Sequence, residues 1–472
     1  MMSVPDTSVA DMTSASVRGT AIRGYFPTVI LPMFRFCMCN FIISVRIFEE
    51  YCLKLLYYPV MKRAVVTGIG AVTPLGNFFG DSWNNLLKGV SGISKIDRFD
   101  VAGMPYQNAG QVRNLDVGGF LSMKEMRRYD RFMHYAYISS QEALEDAGLS
   151  GFCYTRGNSA ISVVCGSGRG AISSIEKAVG KQSSRSRRRN THMRMVSPYF
   201  MPLTATGMSA SLIAQKNRLT GECIGISNAC ASGLSAVGVA YRMIGYGSSE
   251  IVIAVGADAP LTHICFEGYL SCGALSKKNV SRPFDSKRDG FLLSEGACTL
   301  ILEEYGHAVR RGARVYGEVI GYAGGMDAFD QVRPSSGGES ATIEKAIGNA
   351  GIDRDAIGFV STHAASTILG DISESIALEQ VFGGNISGLP VSAFKSMTGH
   401  MLAASGVFEA AASFKVISDG VIPPTLNLEI KDPECSLNVI TERRKSAVDC
   451  ALVNSFGFGG INSVLIIKGA DR

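Results

Sequence analysis

From Met61 onward the chain alternates short, unbroken apolar runs with stretches in which apolar residues recur at helical spacing. The runs are Ala64–Thr67, Ala160–Cys165, Ile251–Val255, Cys298–Leu302, Val315–Val319, Phe359–Thr362, Ala451–Val453 and Val464–Ile467. Most are continuous rather than alternating, which is the pattern of strands buried on both faces. Between them Ser139–Ala147, Leu234–Gly245, Ala341–Ala350 and Ser405–Ser418 read as helices. Strands alternating with helices predict an α/β architecture with its sheet covered on both sides. The pattern also repeats in outline. Ile224–Ile226 leads through a loop at 227–233 into a small-residue helix, and Pro390–Ala393 leads through 395–400 into another.

Residues 1–60 follow a different pattern. The apolar stretch 25–48 is cut by Arg35 and Arg46 and carries Pro27 and Pro32, so no run reaches the roughly 20 residues that span a bilayer. A secretory signal would start basic and end at a small-residue cleavage site, whereas the first positive charge here is Arg18. Residues 1–60 are therefore expected to lie outside the catalytic unit, which starts at Met61. The alternative is an organellar transit peptide, against which Asp6 and Asp11 count. Otherwise the expected compartment is the cytoplasm, with no stable membrane insertion.

Composition sharpens the picture in three ways. Of 53 glycines only Gly19 and Gly24 precede Met61, and the excess over the roughly 7% of an average protein has no collagen period. It belongs in tight turns and close backbone approaches. The net charge of +5 is too small, and too evenly spread, for nucleic-acid binding, though it allows docking of an acidic partner. The serine-rich basic stretch Arg185, Arg187, Arg188 and Arg189, near Lys181 and Arg194, reads as a loop that either is simply solvated or contacts such a partner. Twelve cysteines without C-x-x-C pairs or zinc-finger spacing, including Cys37 and Cys39, indicate neither disulfide staples nor a metal site.

Three places carry chemistry. Cys230 stands between an apolar strand and a helix, where unpaired N–H groups and the positive dipole end are expected to lower a thiol's pKa and to supply oxyanion donors. His363 and His400 end strands in small-residue loops, and a cysteine with two histidines can form a thioester and then polarise a second carbonyl. His134, His192, His263 and His307 are assigned structural roles. Residues 454–462, Asn-Ser-Phe-Gly-Phe-Gly-Gly-Ile-Asn, are expected to form a loop between two strands whose glycines bring main-chain N–H groups close to a ligand.

Six ordered motifs together resemble the β-ketoacyl-acyl-carrier-protein synthases, condensing enzymes of fatty acid synthesis, and most closely their type II members. They are VVTGIGAVTPLGN ending at Asn77, NACASG at 228–233, SRPFDSKRDGF at 281–291, the His363 loop, KSMTGH at 395–400 and NSFGFGGIN at 454–462. The resemblance covers essentially all of 61–472. It implies a thiolase-like duplicated five-layer α-β-α-β-α core, with residues 61–310 as the half bearing the nucleophile and 311–472 as the half bearing both histidines. It implies a homodimer whose partner is the acyl carrier protein, in its acyl and malonyl forms. Cys230 would carry the acyl chain, and His363 and His400 would assist decarboxylation and stabilise the enolate. The N–H groups of Cys230 and Phe458 would form the oxyanion hole, with Phe458 also gating the acyl pocket. Lys395, Glu409, Asp371 and Glu374 would support the site, and Thr367 would touch the pantetheine arm. No metal or cofactor is implied, since 4′-phosphopantetheine arrives on the carrier.

The sequence departs from the family pattern at Ala364 and Ala365, where Gly-Thr is usual, at Ser294 in place of glycine, and at Ile461 in place of threonine or histidine. None removes a catalytic group. Two other readings share these motifs: a thiolase-type or type III enzyme acting on coenzyme A, which would lack the paired histidines, and a polyketide-type ketosynthase or its non-catalytic partner subunit. A non-catalytic subunit would typically lose the nucleophile that Cys230 supplies.

Overall fold

Each apolar run of the sequence overlaps a strand, though Ala64–Thr67 and Val315–Val319 stop five and seven residues short of the strand ends at Val72 and Met326. In a computed structural model that describes residues 61–150, 161–186 and 197–470, with backbone alone for 181–186, ten strands build the core. They are β1 (Ala64–Val72), β2 (Ile161–Gly166), β3 (Cys223–Ile226), β4 (Ile251–Asp258), β5 (Gly296–Glu304), β6 (Gly317–Met326), β7 (Ile357–Ser361), β8 (Pro390–Ser392), β9 (Cys450–Gly457) and β10 (Ile461–Gly469). Their ladder runs β8-β7-β9-β10-β6-β1-β5-β4-β2-β3, with the two-residue strand Asn438–Val439 beyond β8.

The order exposes the duplication. Read outward from the seam between β1 and β6, one half runs β1-β5-β4-β2-β3 and the other β6-β10-β9-β7-β8. Each is first, fifth, fourth, second, third in its own chain order. The sense matches too. The first two pairings of each half are antiparallel and the last two parallel. Among the described residues of β1, only Ala64, Val65 and Val66 pair across the seam, so two five-stranded sheets meet edge to edge.

Helices complete five layers. Helices α1 (Arg131–Asp146) and α2 (Met208–Asn217) pack on the outer face of the first sheet. Helices α4 (Ser336–Ala350) and α5 (Ile368–Phe382) cover the second. Between the sheets lie α3 (Ser232–Gly245) and α6 (Ala403–Asp419), which touch strands of both. A helix buried on nearly every side must be apolar or small almost all round, as α6 is in AASGVFEAAASF, where the one exception, Glu409, is paired with Lys395.

The two inner helices lie close because glycine leaves room. A Cβ on Gly233 of α3 would come within 1.9 Å of the Ala403 carbonyl oxygen, and one on Gly256 of β4 within 2.4 Å of the same atom. On β1, a Cβ on Gly70 would sit 2.1 Å from the Ser139 carbonyl oxygen of α1. Gly70 and Gly233 therefore serve close packing inside regular elements. Turns are instead the place of Gly399, Gly459 and Gly460, which have φ of +68°, +84° and +69°.

Two further expectations are corrected. Residues 454–462 are not one loop: Asn454–Gly457 end β9, Ile461 and Asn462 begin β10, and only 458–460 turn the hairpin. The basic stretch is not all loop either, since a helix Ile172–Ser186 carries the backbone of Lys181 and Arg185. Arg187, Arg188, Arg189, His192 and Arg194 lie outside the described residues, as do all expectations for 1–60. Among the described residues no helix is long and apolar enough to cross a membrane.

Candidate active site

The matched halves bring their β-to-inner-helix loops together: 227–231 between β3 and α3, and 393–402 between β8 and α6. In the first, Cys230 occupies a short 3-10 turn, Ala229–Ala231, entered through Ala229 at φ +47°. A non-glycine residue there is strained and needs holding. The Asn228 N–H donates to Ser232 Oγ at 2.7 Å, and that hydroxyl donates to the Ala229 carbonyl at 2.6 Å. Ser455 Oγ donates to the Cys230 carbonyl at 3.2 Å, tying β9 to the turn. Gly457 is the contact that a side chain would spoil, because its Cβ would stand 3.2 Å from the Cys230 nitrogen. The hairpin therefore sets Phe458 beside the nucleophile turn, packed against the apolar cluster that contains Cys230.

In the second loop His400 is fixed by its backbone. Its N–H donates to the Leu292 carbonyl at 2.8 Å and its carbonyl accepts from the Ser294 N–H at 3.0 Å. Its ring stands 5.3 Å from the His363 ring, centroid to centroid, at 79°. Below His363, the Glu374 carboxylate accepts the N–H groups of His363 (2.8 Å) and Ala364 (2.7 Å) and the Asn454 amide (2.9 Å). Asp371 accepts the N–H groups of Ser366 (3.0 Å) and Phe284 (2.9 Å), with Arg288 Nε at 3.7 Å. Both carboxylates thus shape the His363 loop. Lys395 is fully buried, its Nζ 2.6 Å from Glu409 Oε1.

Electrostatics corrects one expectation. The Cys230 thiol is not lowered: burial pushes it up to about 11, and Arg169 and Lys395 oppose that only in part. At 9% exposure, loss of water outweighs the helix end. Burial also drives both histidines well below 6.5, and the Lys395 charge drives them further. They are neutral imidazoles at pH 7, each able to donate one N–H. Burial raises Glu409 and Asp371 to about 7 against the pull of Lys395 and Arg288 respectively.

The histidine shift has a measurable consequence. Unfolded imidazoles titrate near 6.5, so below that pH the unfolded chain binds protons the folded chain refuses, and stability falls on acidification. The carboxylates raised to about 7 act in the opposite sense. Comparing the wild type with His363→Asn/His400→Asn cancels their contribution. The double variant should gain on the wild type below pH 6.5, by up to about 1.4 kcal/mol per pH unit per histidine, in urea titrations from pH 7.5 to 5. A pH-independent difference would contradict neutral histidines.

Thr367 caps α5, its Oγ1 accepting from the Gly370 N–H at 3.2 Å, while Ala365 joins the Cys230 cluster. Ser294, the departure from glycine, is absorbed: its hydroxyl donates to the Gly110 carbonyl at 3.1 Å, and residue 110 has no Cβ to collide with it. Of the other histidines, His263 lies against Phe99 with ring centroids 4.1 Å apart, and His307 pairs with Glu303 at 2.5 Å. His134 is held below its usual range by burial.

Sequence reasoning passed over Asp258, Arg169 and Tyr269. Asp258, buried at the end of β4, accepts N–H groups from Gly168, Arg169 and Ala403, each at 2.9 Å, and so joins the two halves under the site. The only signal in the sequence was an acidic residue ending an otherwise apolar strand.

This geometry has relatives. A family model described as "Beta-ketoacyl synthase, N-terminal domain" matches residues 61–308, and "Beta-ketoacyl synthase, C-terminal domain" matches 316–429. The chain is 38% identical over 419 residues to the 3-oxoacyl-[acyl-carrier-protein] synthase 2 of Synechocystis sp., covering 86% of this chain and 98% of that protein. Among solved structures, the ishigamide ketosynthase/chain length factor superposes with a TM-score of 0.81 at 30% identity, covering 87% of this chain and all 100% of that one. A type II polyketide ketosynthase in complex with its acyl-carrier protein (AntDE:AntF) gives a TM-score of 0.78 at 30% identity over 87% of this chain and 100% of that one.

Proposed function

The chain belongs to the β-ketoacyl synthase family, and from this we propose that it condenses acyl-carrier protein with malonyl-carrier protein to give 3-oxoacyl-carrier protein and carbon dioxide, elongating fatty acids. The observation that carries the reading is the convergence of Cys230, His363 and His400 from the matched halves, with two neutral imidazole rings 5.3 Å apart.

In the first step Cys230 sulfur attacks the acyl thioester. The acyl–sulfur bond to pantetheine breaks, and the thiol proton ends on the departing pantetheine sulfur. The N–H groups of Cys230 and Phe458, brought alongside by Gly457, stabilise the oxyanion. In the second step the malonyl C–C bond to the carboxylate breaks and carbon dioxide leaves. The electron pair stays as an enolate whose oxygen accepts hydrogen bonds from His363 and His400. Neutral rings suit this, since a donor that remains neutral need not be recharged at each turnover. The enolate carbon then attacks the Cys230 thioester, a C–C bond forms, and the Cys230 C–S bond breaks. Solvent reprotonates the thiolate, which a thiol raised to about 11 takes up readily. Loss of carbon dioxide supplies the driving force, so no further cofactor takes part.

The working form is a homodimer, for which β3, the last strand of the ladder among the described residues, offers an edge with Cys223 and Gly225 exposed. A non-catalytic subunit is disfavoured by the intact Cys230 turn. The test is turnover of the purified chain with acyl- and malonyl-carrier protein: 3-oxoacyl product and carbon dioxide should appear in equal amounts. Carbon dioxide without product, or no turnover, overturns the proposal.

A further inference from the structure

The wall around Cys230 is built from Leu261, Cys265, Phe266, Tyr269, Phe291 and Leu402, and it offers a saturated chain almost nothing but hydrocarbon. One cation breaks it. Arg169 Nε donates to the Tyr269 hydroxyl oxygen at 2.7 Å, and its guanidinium carbon lies 5.0 Å from the centre of the Tyr269 ring. Tyr269 itself stands 6.3 Å from Phe458 and 5.2 Å from Phe291, whose ring is 5.2 Å from His400, all between ring centroids. The arginine is thus one side chain removed from the gate and two from the catalytic histidine.

Its place is fixed rather than incidental. Asp258 holds the N–H groups of Gly168 and Arg169 and the Ser167 hydroxyl, each within 2.9 Å. A Cβ on Gly168 would fall 3.0 Å from the Ala229 carbonyl oxygen, so the loop runs along the nucleophile turn. Among the described residues no carboxylate pairs with Arg169, and its two terminal nitrogens have no protein acceptor. The side chain is exposed, which leaves those donors available. A methyl-ended chain laid against them would displace water from the guanidinium without replacing its hydrogen bonds. A carboxylate would replace them with a bidentate, charge-assisted pair.

We propose that Arg169, positioned by Tyr269 and Asp258, makes the acyl site selective for acyl groups that carry a carboxylate at their far end over methyl-ended chains of the same length. This rests on the condensing-enzyme reading above. It adds a substrate class that neither the motifs nor the relatives' names contain.

The experiment measures kcat/KM for wild type, Arg169→Leu and Arg169→Lys with succinyl-, glutaryl- and adipoyl-carrier protein against butyryl-, pentanoyl- and hexanoyl-carrier protein, malonyl-carrier protein being constant. The wild type should prefer the carboxylated member of at least one pair by roughly tenfold or more, a difference worth about 1.4 kcal/mol. Arg169→Leu should bring that ratio to unity or below, and Arg169→Lys should recover part of it. Equal use of both members of every pair by the wild type, or an unchanged ratio in folded Arg169→Leu, overturns the proposal. A wild type that condenses methyl-ended chains without preference refutes the selectivity alone. One that condenses none of the six refutes the condensing reading and the selectivity with it.

Discussion

Replacing Cys230 by alanine should abolish condensation, by about a thousandfold or more, while decarboxylation of malonyl-carrier protein continues. The separation follows from where the groups sit. The thioester can form only on the Cys230 sulfur, whereas the enolate is held by His363 and His400, which the exchange does not touch. Alanine already flanks the position at 229 and 231, and the turn is held by Asn228, Ser232 and Ser455 through groups the variant keeps. The loss would therefore be chemical and not structural. His400→Ala should differ by losing decarboxylation as well, because it removes one of two donors to the developing enolate. Paired measurement of carbon dioxide release and 3-oxoacyl product in both variants checks this. Undiminished condensation in Cys230→Ala, or a proportional fall in both reactions, would sink the division of labour.

Strands buried on both faces announce themselves by unbroken apolar runs, which is why β1, β4, β5 and β7 were legible from composition over a few residues. The repeat was legible for the same reason: two strand-loop-helix passages with small-residue helices stand at equivalent places. Hairpin geometry was not, because Asn454–Gly457 pairs with Ile461–Val464 through ladder bonds that glycine content alone does not reveal. The nucleophile and both histidines could be named because each interrupts a regular pattern with a reactive side chain. Arg169 could not. It lies 61 residues before Cys230 in a glycine-rich turn, and its meaning comes from Tyr269 and Asp258, which the fold supplies from elsewhere. The Cys230 thiol shows a related limit: a helix end is readable in sequence, but burial is collective, and burial decided the sign.

Lys395→Met should destabilise the protein by up to about 3–5 kcal/mol at alkaline pH, where the folded chain must either keep Glu409 protonated or bury its carboxylate without a counterion. Glu409 Oε1 takes its 2.6 Å bond from Lys395, and Oε2 has no hydrogen-bond partner among the described residues. The loss should be smaller on the acid side of pH 7 and larger above it. Burial already holds Glu409 near 7 with the lysine present, so without it the carboxyl stays protonated to higher pH and must ionise only as alkali is added. Lys395→Met/Glu409→Leu, with both charges gone and hydrocarbon in their place, should regain most of the stability in denaturant titrations. It should not regain the activity. The Lys395 charge also opposes the burial that raises the Cys230 thiol and keeps both histidines neutral further into acid, and neither effect returns when Glu409 is removed. The double variant should therefore be stable yet slow, with its activity lost at a higher pH on acidification than in the wild type, because imidazoles relieved of the lysine protonate sooner. A double variant as active as the wild type would reduce Lys395 to a structural partner of Glu409. An unstable one would mean that the pair, and not the uncompensated carboxylate, holds the inner helix in place.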